Sequence, residues 1–204
     1  MKNGLGMSAG GLLAVLALVT PSLAAVLPSL GLVKSGSAAT SDSISQGTAT
    51  YDVDLLFNSS GFTVSGLQYY ISTNPAGVVN YTATPLTMLN NPFTASDVSS
   101  QPAANATVQQ TGGTTALFKS TAGDYPAVNN AIVTYHINTS TLTAGNTVIF
   151  TPTGQEMTNA NGTITNFATP ATFTLTVTPE PATLSLLAIP ALLMLRRRAR
   201  SNLV

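Results

Sequence analysis

The sequence predicts an all-β protein: a single β-sandwich flanked by one apolar helix at each end. Three observations carry this. Apolar side chains recur at every second position in many short segments, the period of a strand with one buried face. Clusters of Asn, Gly, Pro and Ser separate those segments at regular intervals. Between the apolar ends no segment sustains a helical repeat, which leaves packed sheets as the way to build a core.

The chain opens with a signal. Lys2 supplies a positive start, Gly11 to Val19 an apolar run, and Pro21-Ser22-Leu23-Ala24-Ala25 a small-residue exit. Cleavage after Ala24 or Ala25 is expected, so residues 1–25 read as a signal peptide and the protein as exported. Residues 26–43, rich in Ser, Ala and Gly, read as a flexible leader, with a first strand near Ile44.

The domain proper spans 44–178. Tyr51, Val53, Leu55 and Phe57 alternate with Thr50, Asp52, Asp54 and Leu56, a strand with one apolar and one partly acidic face. Asn58-Ser59-Ser60-Gly61 is turn chemistry. Phe62 to Ile71 is the next strand, with Leu67, Tyr69 and Ile71 on one side and Gly66 at a bulge. Asn74-Pro75-Ala76-Gly77 breaks it, Val78 to Thr84 resumes the pattern, and Pro85 to Asp97 reads as irregular. Strands follow at Asn105 to Gln110 and Thr114 to Ser120, joined by a hairpin turn at Thr111-Gly112-Gly113. Further strands are expected at Ala131 to Asn138 and Thr147 to Thr151, with Thr143-Ala144-Gly145-Asn146 as the turn between them. A polar stretch around Asn159-Ala160-Asn161-Gly162 precedes a final strand, Phe173 to Val177.

The tail has three parts in a fixed order. Pro179-Glu180-Pro181 leads into the uncharged run Ala182 to Leu195, which stops at Arg196-Arg197-Arg198-Ala199-Arg200. Guanidinium groups stay on the cytoplasmic side, so the pattern is a membrane stop. The run is about 14 residues where a spanning helix needs roughly 20, and Pro190 interrupts it. Such a span suits a transient anchor in the inner membrane; an ordinary tail-anchor helix is the alternative.

In the order of these parts the tail, 179–201, resembles the PEP-CTERM sorting signal, carried by Pro179, Glu180, Pro181, Arg196, Arg197 and Arg198. The resemblance implies an exosortase-type processing enzyme as a partner, cleavage near Pro-Glu-Pro, and delivery to the cell surface. It also implies an association with exopolysaccharide and biofilm.

A second resemblance lies in the strands. Tyr51-Asp52-Val53-Asp54-Leu55, then Val64 to Ile71 with its Gly66-Leu67-Gln68, then Asn74-Pro75, look like the opening of a cohesin-type domain. Ile132 to Ile137, Ala144 to Val148 and Phe173 to Val177 are similar to its second half. The resemblance implies a jelly-roll-like sandwich of about nine strands, related to carbohydrate-binding modules. Cohesins bind dockerins through a sheet face, but the pattern transfers no individual binding residue.

Composition narrows the function. The formal net charge is +0, but Lys2 and the tail arginines leave with the signals. What remains is Lys34 and Lys119 against Asp42, Asp52, Asp54, Asp97, Asp124 and Glu156, with no basic stripe for nucleic acid. There is no cysteine, which excludes disulfides, thiol catalysis and Cys-ligated zinc.

No catalytic, cofactor or metal site is expected. His136, the one histidine, sits in a strand with no nucleophile-elbow motif near it. Asp52 and Asp54 share a strand face, either as a solvated face or as part of a calcium site. Asp97, Asp124 and Glu156 are the acids from which a glycosidase pair could be drawn. Tyr69, Tyr70, Tyr81, Tyr125 and Tyr135 could stack on sugars or pack inside. Sequons at Asn58, Asn80, Asn105, Asn138 and Asn161 read mostly as turn residues. The expected function is an exported surface or matrix protein binding protein or polysaccharide; a small secreted polysaccharide-active hydrolase is the alternative.

Overall fold

The structure is a computed structural model that describes residues 26–109 and 114–180. Both expected terminal helices fall outside the described residues, and with them Ala24, Ala25, Pro181, Arg196, Arg197 and Arg198. So does the expected turn at Thr111-Gly112-Gly113. Among the described residues no helix is long and apolar enough to cross a membrane.

Among the described residues eleven strands form two sheets packed face to face. The smaller sheet has the order β1 (Ser29–Lys34), β3 (Thr50–Asn58), β8 (Asn129–Asn138), β5 (Asn80–Met88). The larger runs β2 (Ser41–Ser45), β11 (Phe173–Thr178), β9 (Thr147–Asn159), β4 (Gly66–Asn74), β7 (Thr115–Phe118), β6 (Val98–Ser100). β10 (Gly162–Ile164) folds back on the end of β9, and a 3-10 turn, Ala95–Asp97, precedes β6. Neighbouring strands are antiparallel except β2 and β11, which run parallel.

The period-two pattern becomes the core. Leu32, Val53, Leu55, Phe57, Val133 and Ile137 point inward from the smaller sheet. Leu67, Ile71, Phe150, Phe173 and Leu175 meet them from the larger one. In the middle Tyr135 on β8 donates to Tyr69 on β4 at 2.8 Å and shares a hydrogen bond with Thr115 on β7 at 2.6 Å. These hydroxyls link the two sheets through the apolar layer. Tyr81 packs against Tyr135 with ring centroids 5.7 Å apart, yet its hydroxyl has no hydrogen-bond partner.

Three expectations are corrected. The span read as a flexible leader carries β1 and most of β2. Leu30 and Leu32 alternate into the core, while Gly31 meets Ala171 so closely that an added Cβ would lie 3.2 Å from the alanine's Cβ. The strand count therefore rises above the expected nine or so. Asn105 to Gln110 is not a hairpin partner of β7. Its described part lies along the edge of β5, with Val108 N–H donating to Val79 and Tyr81 N–H donating to Ala106. β7 pairs instead with β4 and β6.

The third correction concerns proline. β5 continues through Pro85 to Met88, and β9 through Pro152 to Asn159. Proline removes a ladder donor. β5 tolerates this because the stretch between Tyr81 and Leu86 bulges away from β8. β9 tolerates it because Pro152 lies between the segments that β11 and β10 pair with, where β9 is bonded only to β4. Gly66 is not at the bulge, which falls between Gln68 and Tyr69. It is a close-approach site: a Cβ there would lie 2.5 Å from the Phe118 ring.

Two mutational outcomes follow. Leu32→Ala costs about 2–5 kcal/mol by removing buried methyl groups, whereas a change in a flexible leader would leave the urea midpoint unmoved. Tyr81→Phe leaves stability unchanged or raises it, while Tyr135→Phe lowers it by about 1–3 kcal/mol because it strips partners from Tyr69 and Thr115. Denaturant titration of the two tyrosine variants side by side reads the difference.

Candidate functional site

The outer face of the smaller sheet gathers the sequence's most reactive residue types. Asp52 lies opposite His136 on the neighbouring strand, and its carboxylate is 2.8 Å from His136 Nδ1. His136 Nε2 is in turn 2.8 Å from Thr87 Oγ1 on β5. The order carboxylate, imidazole, hydroxyl is that of an acyl-transfer relay. Neither Asp52 nor His136 is deeply buried, with 48% and 25% of their side chains exposed, so water dilutes the pairing. Asp54, two residues along, accepts from Thr134 Oγ1 at 2.7 Å and from Gly36 N–H at 3.2 Å. Asp52 and Asp54 are thus each engaged by protein groups. Among the described residues no cluster of three or more His, Asp or Glu side chains could hold a metal.

The remaining acids do not form a free pair. Asp97 is almost wholly buried and accepts from Thr94 N–H and Oγ1, Ser120 N–H and Tyr125 Oη. Burial pushes its carboxyl up, but those hydrogen bonds outweigh it and hold the pKa at about 2. Asp124 accepts from Ala160 N–H at 2.8 Å and Thr63 Oγ1 at 2.7 Å, and these bonds hold its carboxyl below the usual range. A general acid for glycoside hydrolysis needs a raised pKa. Neither aspartate has one. Glu156 stands apart from both in the larger sheet, opposite Gln68.

The tyrosines divide by position. Tyr69, Tyr81 and Tyr135 are fully buried, and Tyr125 covers Asp97 while the Lys119 ammonium sits 4.6 Å from its ring centre. Only Tyr70 of the five lies on an outer sheet face in mid-strand, half-buried beside Thr153. The sequon asparagines mostly shape turns. Asn58 and Asn138 accept from the backbone N–H two residues on, and Asn105 has a left-handed φ of 58°. Asn80 lies in β5 and Asn161 in the β9–β10 turn.

The larger sheet presents a different outer face, one that residue-by-residue reading missed. Alternation along β2, β11, β9 and β4 turns hydroxyls outward in register. Ser43, Thr176 and Thr147 form one rank across three strands. Ser41 and Thr174 form the next, continued by Ile149 and Asn74. Ser72 lies opposite Thr151 beyond them. Only Ser72 among these side chains makes a hydrogen bond within the protein, a long one of 3.4 Å to the Thr151 carbonyl. No charged side chain stands in these ranks. Repeated Ser and Thr at alternate positions was the available signal, visible in Ser41-Asp42-Ser43-Ile44-Ser45 and Thr174-Leu175-Thr176-Val177-Thr178.

The Asp97 cluster sets a pH dependence. Its folded pKa of about 2 lies below the unfolded value, so its stabilisation is complete above pH ~4 and is lost as pH falls through about 2. Asp97→Asn should cost about 2 kcal/mol at neutral pH. It should also flatten the fall in stability between pH ~4 and ~2 relative to the parent, as urea titrations at stepped pH would show.

No family model matches the chain, and no curated protein matches it. Solved structures do match. A membrane-anchored protein from Corynebacterium diphtheriae aligns at TM-score 0.50 and 9% identity over 78% of this chain and 37% of that one. A non-cellulosomal cohesin from Archaeoglobus fulgidus aligns at TM-score 0.48 and 12% identity over 78% of this chain and 97% of that one. The seventh ScaB type I cohesin from Pseudobacteroides cellulosolvens aligns at 0.44 and 14%, over 76% and 94%. At such identities the likeness is one of architecture alone: two sheets packed into a β-sandwich.

Proposed function

We propose that this is an exported, non-enzymatic surface or extracellular-matrix protein whose sandwich binds a protein or polysaccharide. In this reading the signal peptide leaves after Ala24 or Ala25. The PEP-CTERM tail holds the chain in the inner membrane until an exosortase-type enzyme cuts near Pro179-Glu180-Pro181. Nucleic acid is not a partner.

The observation that carries this reading is where the fold begins and ends. β1 opens at Ser29 and β11 closes at Thr178, so both proposed cuts flank the last paired residues. Val26 is 70% exposed, and Thr178, Pro179 and Glu180 are exposed as well. A processing enzyme meets accessible chain at each end, and removing both signals takes no strand from the sandwich. Among the described residues the buried layer is built from positions between Leu30 and Val177.

The hydrolase alternative has one arrangement in its favour, the Asp52–His136–Thr87 chain. On the binding-module reading those groups satisfy one another on a solvated face. His136→Ala then leaves partner binding intact.

Mass spectrometry of the protein from native cells is the test. A mature N-terminus at Ala25 or Val26 and a C-terminus close to Pro179–Pro181, found in the surface or matrix fraction, is expected. An intact chain of residues 1–204 recovered from the cytosol overturns the reading. Turnover of a polysaccharide or its esters that His136→Ala abolishes would transfer the case to the hydrolase.

A further inference from the structure

We infer that the β2–β3 turn is a seat for the Pro-Glu-Pro triplet, an autoinhibitory contact by which the folded domain delays removal of its own tail. This rests on the reading of the tail as a processed sorting signal and names what sets the pace of its processing.

The last strand is held on both sides up to its final residues. On one side Val177 N–H donates to the Asn146 carbonyl at 2.9 Å, and the Val177 carbonyl accepts from Gly145 N–H at 2.9 Å. On the other, Gln46 N–H donates to the Thr178 carbonyl at 2.8 Å, and Thr178 Oγ1 donates to the Ile44 carbonyl at 3.1 Å. Gln46 is itself braced, because its side-chain oxygen accepts from Ala144 N–H at 3.2 Å. Gly47, next in the turn, carries the hold into the triplet. Its φ is 87°, and a Cβ added there would lie 3.0 Å from Glu180 Oε1. Pro179 stands between the two holds, with a fixed φ and no N–H of its own.

Thr178, Pro179 and Glu180 are exposed, so an enzyme can reach them. The holds decide how readily they leave the domain. An enzyme that captures an extended segment does so through backbone groups and side chains that have no other partner. Here the Thr178 carbonyl is taken by Gln46 and the Glu180 carboxylate lies against Gly47. No slack separates them from the sheet, since β11 ends at Thr178 and Val177 is 2% exposed. To engage the triplet, the processing enzyme must first lift it from the turn. The seat also exists only once β11 has paired with β2, because that pairing brings Gln46 and Gly47 beside the end of the chain's last described strand.

The test is a pulse-chase of the full chain in its native cells, with tail loss read by gel and the new C-terminus by mass spectrometry. Inserting Gly-Ser-Gly-Ser between Thr178 and Pro179 frees the triplet without touching the sandwich. It should shorten the half-time of processing about threefold or more, the scale of one net hydrogen bond. Gly47→Ala puts a methyl group against the Glu180 carboxylate and should also shorten it. Gly61→Ala is the matched control: its φ is likewise 87°, but nothing lies near its added Cβ, so the backbone strain is the same and the tail is untouched. Its half-time should equal the parent's.

A linker variant cut at the parent's rate, or more slowly, overturns the seat. So does an acceleration by Gly61→Ala equal to that by Gly47→Ala, which would make turn strain rather than the contact responsible. In either case tail removal itself is still seen, and the sorting-signal reading stands. If the parent and every variant keep their tails throughout the chase, that reading falls and the seat with it.

Discussion

A short hydroxyl chain in the middle of the core, Thr115 to Tyr135 to Tyr69, is the contact on which the sandwich geometry turns. The protein has no cysteine and no tryptophan, so neither a covalent bridge nor a large indole fixes one sheet against the other. Burial of leucine and valine is non-directional, so on that ground alone the layers can take more than one offset. A buried hydrogen bond cannot, because leaving a partner unmade in low dielectric is costly. Tyr135 on the smaller sheet is bound to two strands of the larger, and that sets the offset of the sheets. The outward registers of β9 and β4 inherit it.

The strands with strong alternation were legible in the sequence, and for a simple reason. In β3, β8 and β11 every inward position is apolar and few outward ones are, so the period alone identifies the buried face. β1 was missed because Leu30-Gly31-Leu32 follows an apolar run and sits among small residues, where two leucines do not stand out. β2 has a single apolar side chain, Ile44, and is held by parallel pairing to β11 rather than by burial. The prolines misled in the opposite direction. A missing N–H ends a strand only where a neighbour needs it, and whether one does depends on the topology.

Site chemistry was less legible than the fold. That Asp52 and Asp54 share a face was clear from their spacing, but their partners His136 and Thr134 lie on a strand distant in sequence. No spacing rule joins them. Asp97 looked like a loop acid available for chemistry, yet it holds a corner together by accepting several hydrogen bonds at once. The hydroxyl ranks of the larger sheet needed strand order as well as alternation. Ser43, Thr176 and Thr147 become neighbours only through a parallel and an antiparallel pairing made side by side.

The place of β11 has a consequence for biogenesis. It is the last of the described strands, yet it sits inside the larger sheet, between β2 near the start of the domain and β9. Until the chain through residue 178 has been made and is free to pair, β2 has no sheet neighbour and the Phe173 and Leu175 positions of the interior stay open. Closure needs pairing between the two extremes of the domain, a slow, non-local step. A domain built this way keeps one of its two sheets open until the residues of its last described strand are in place.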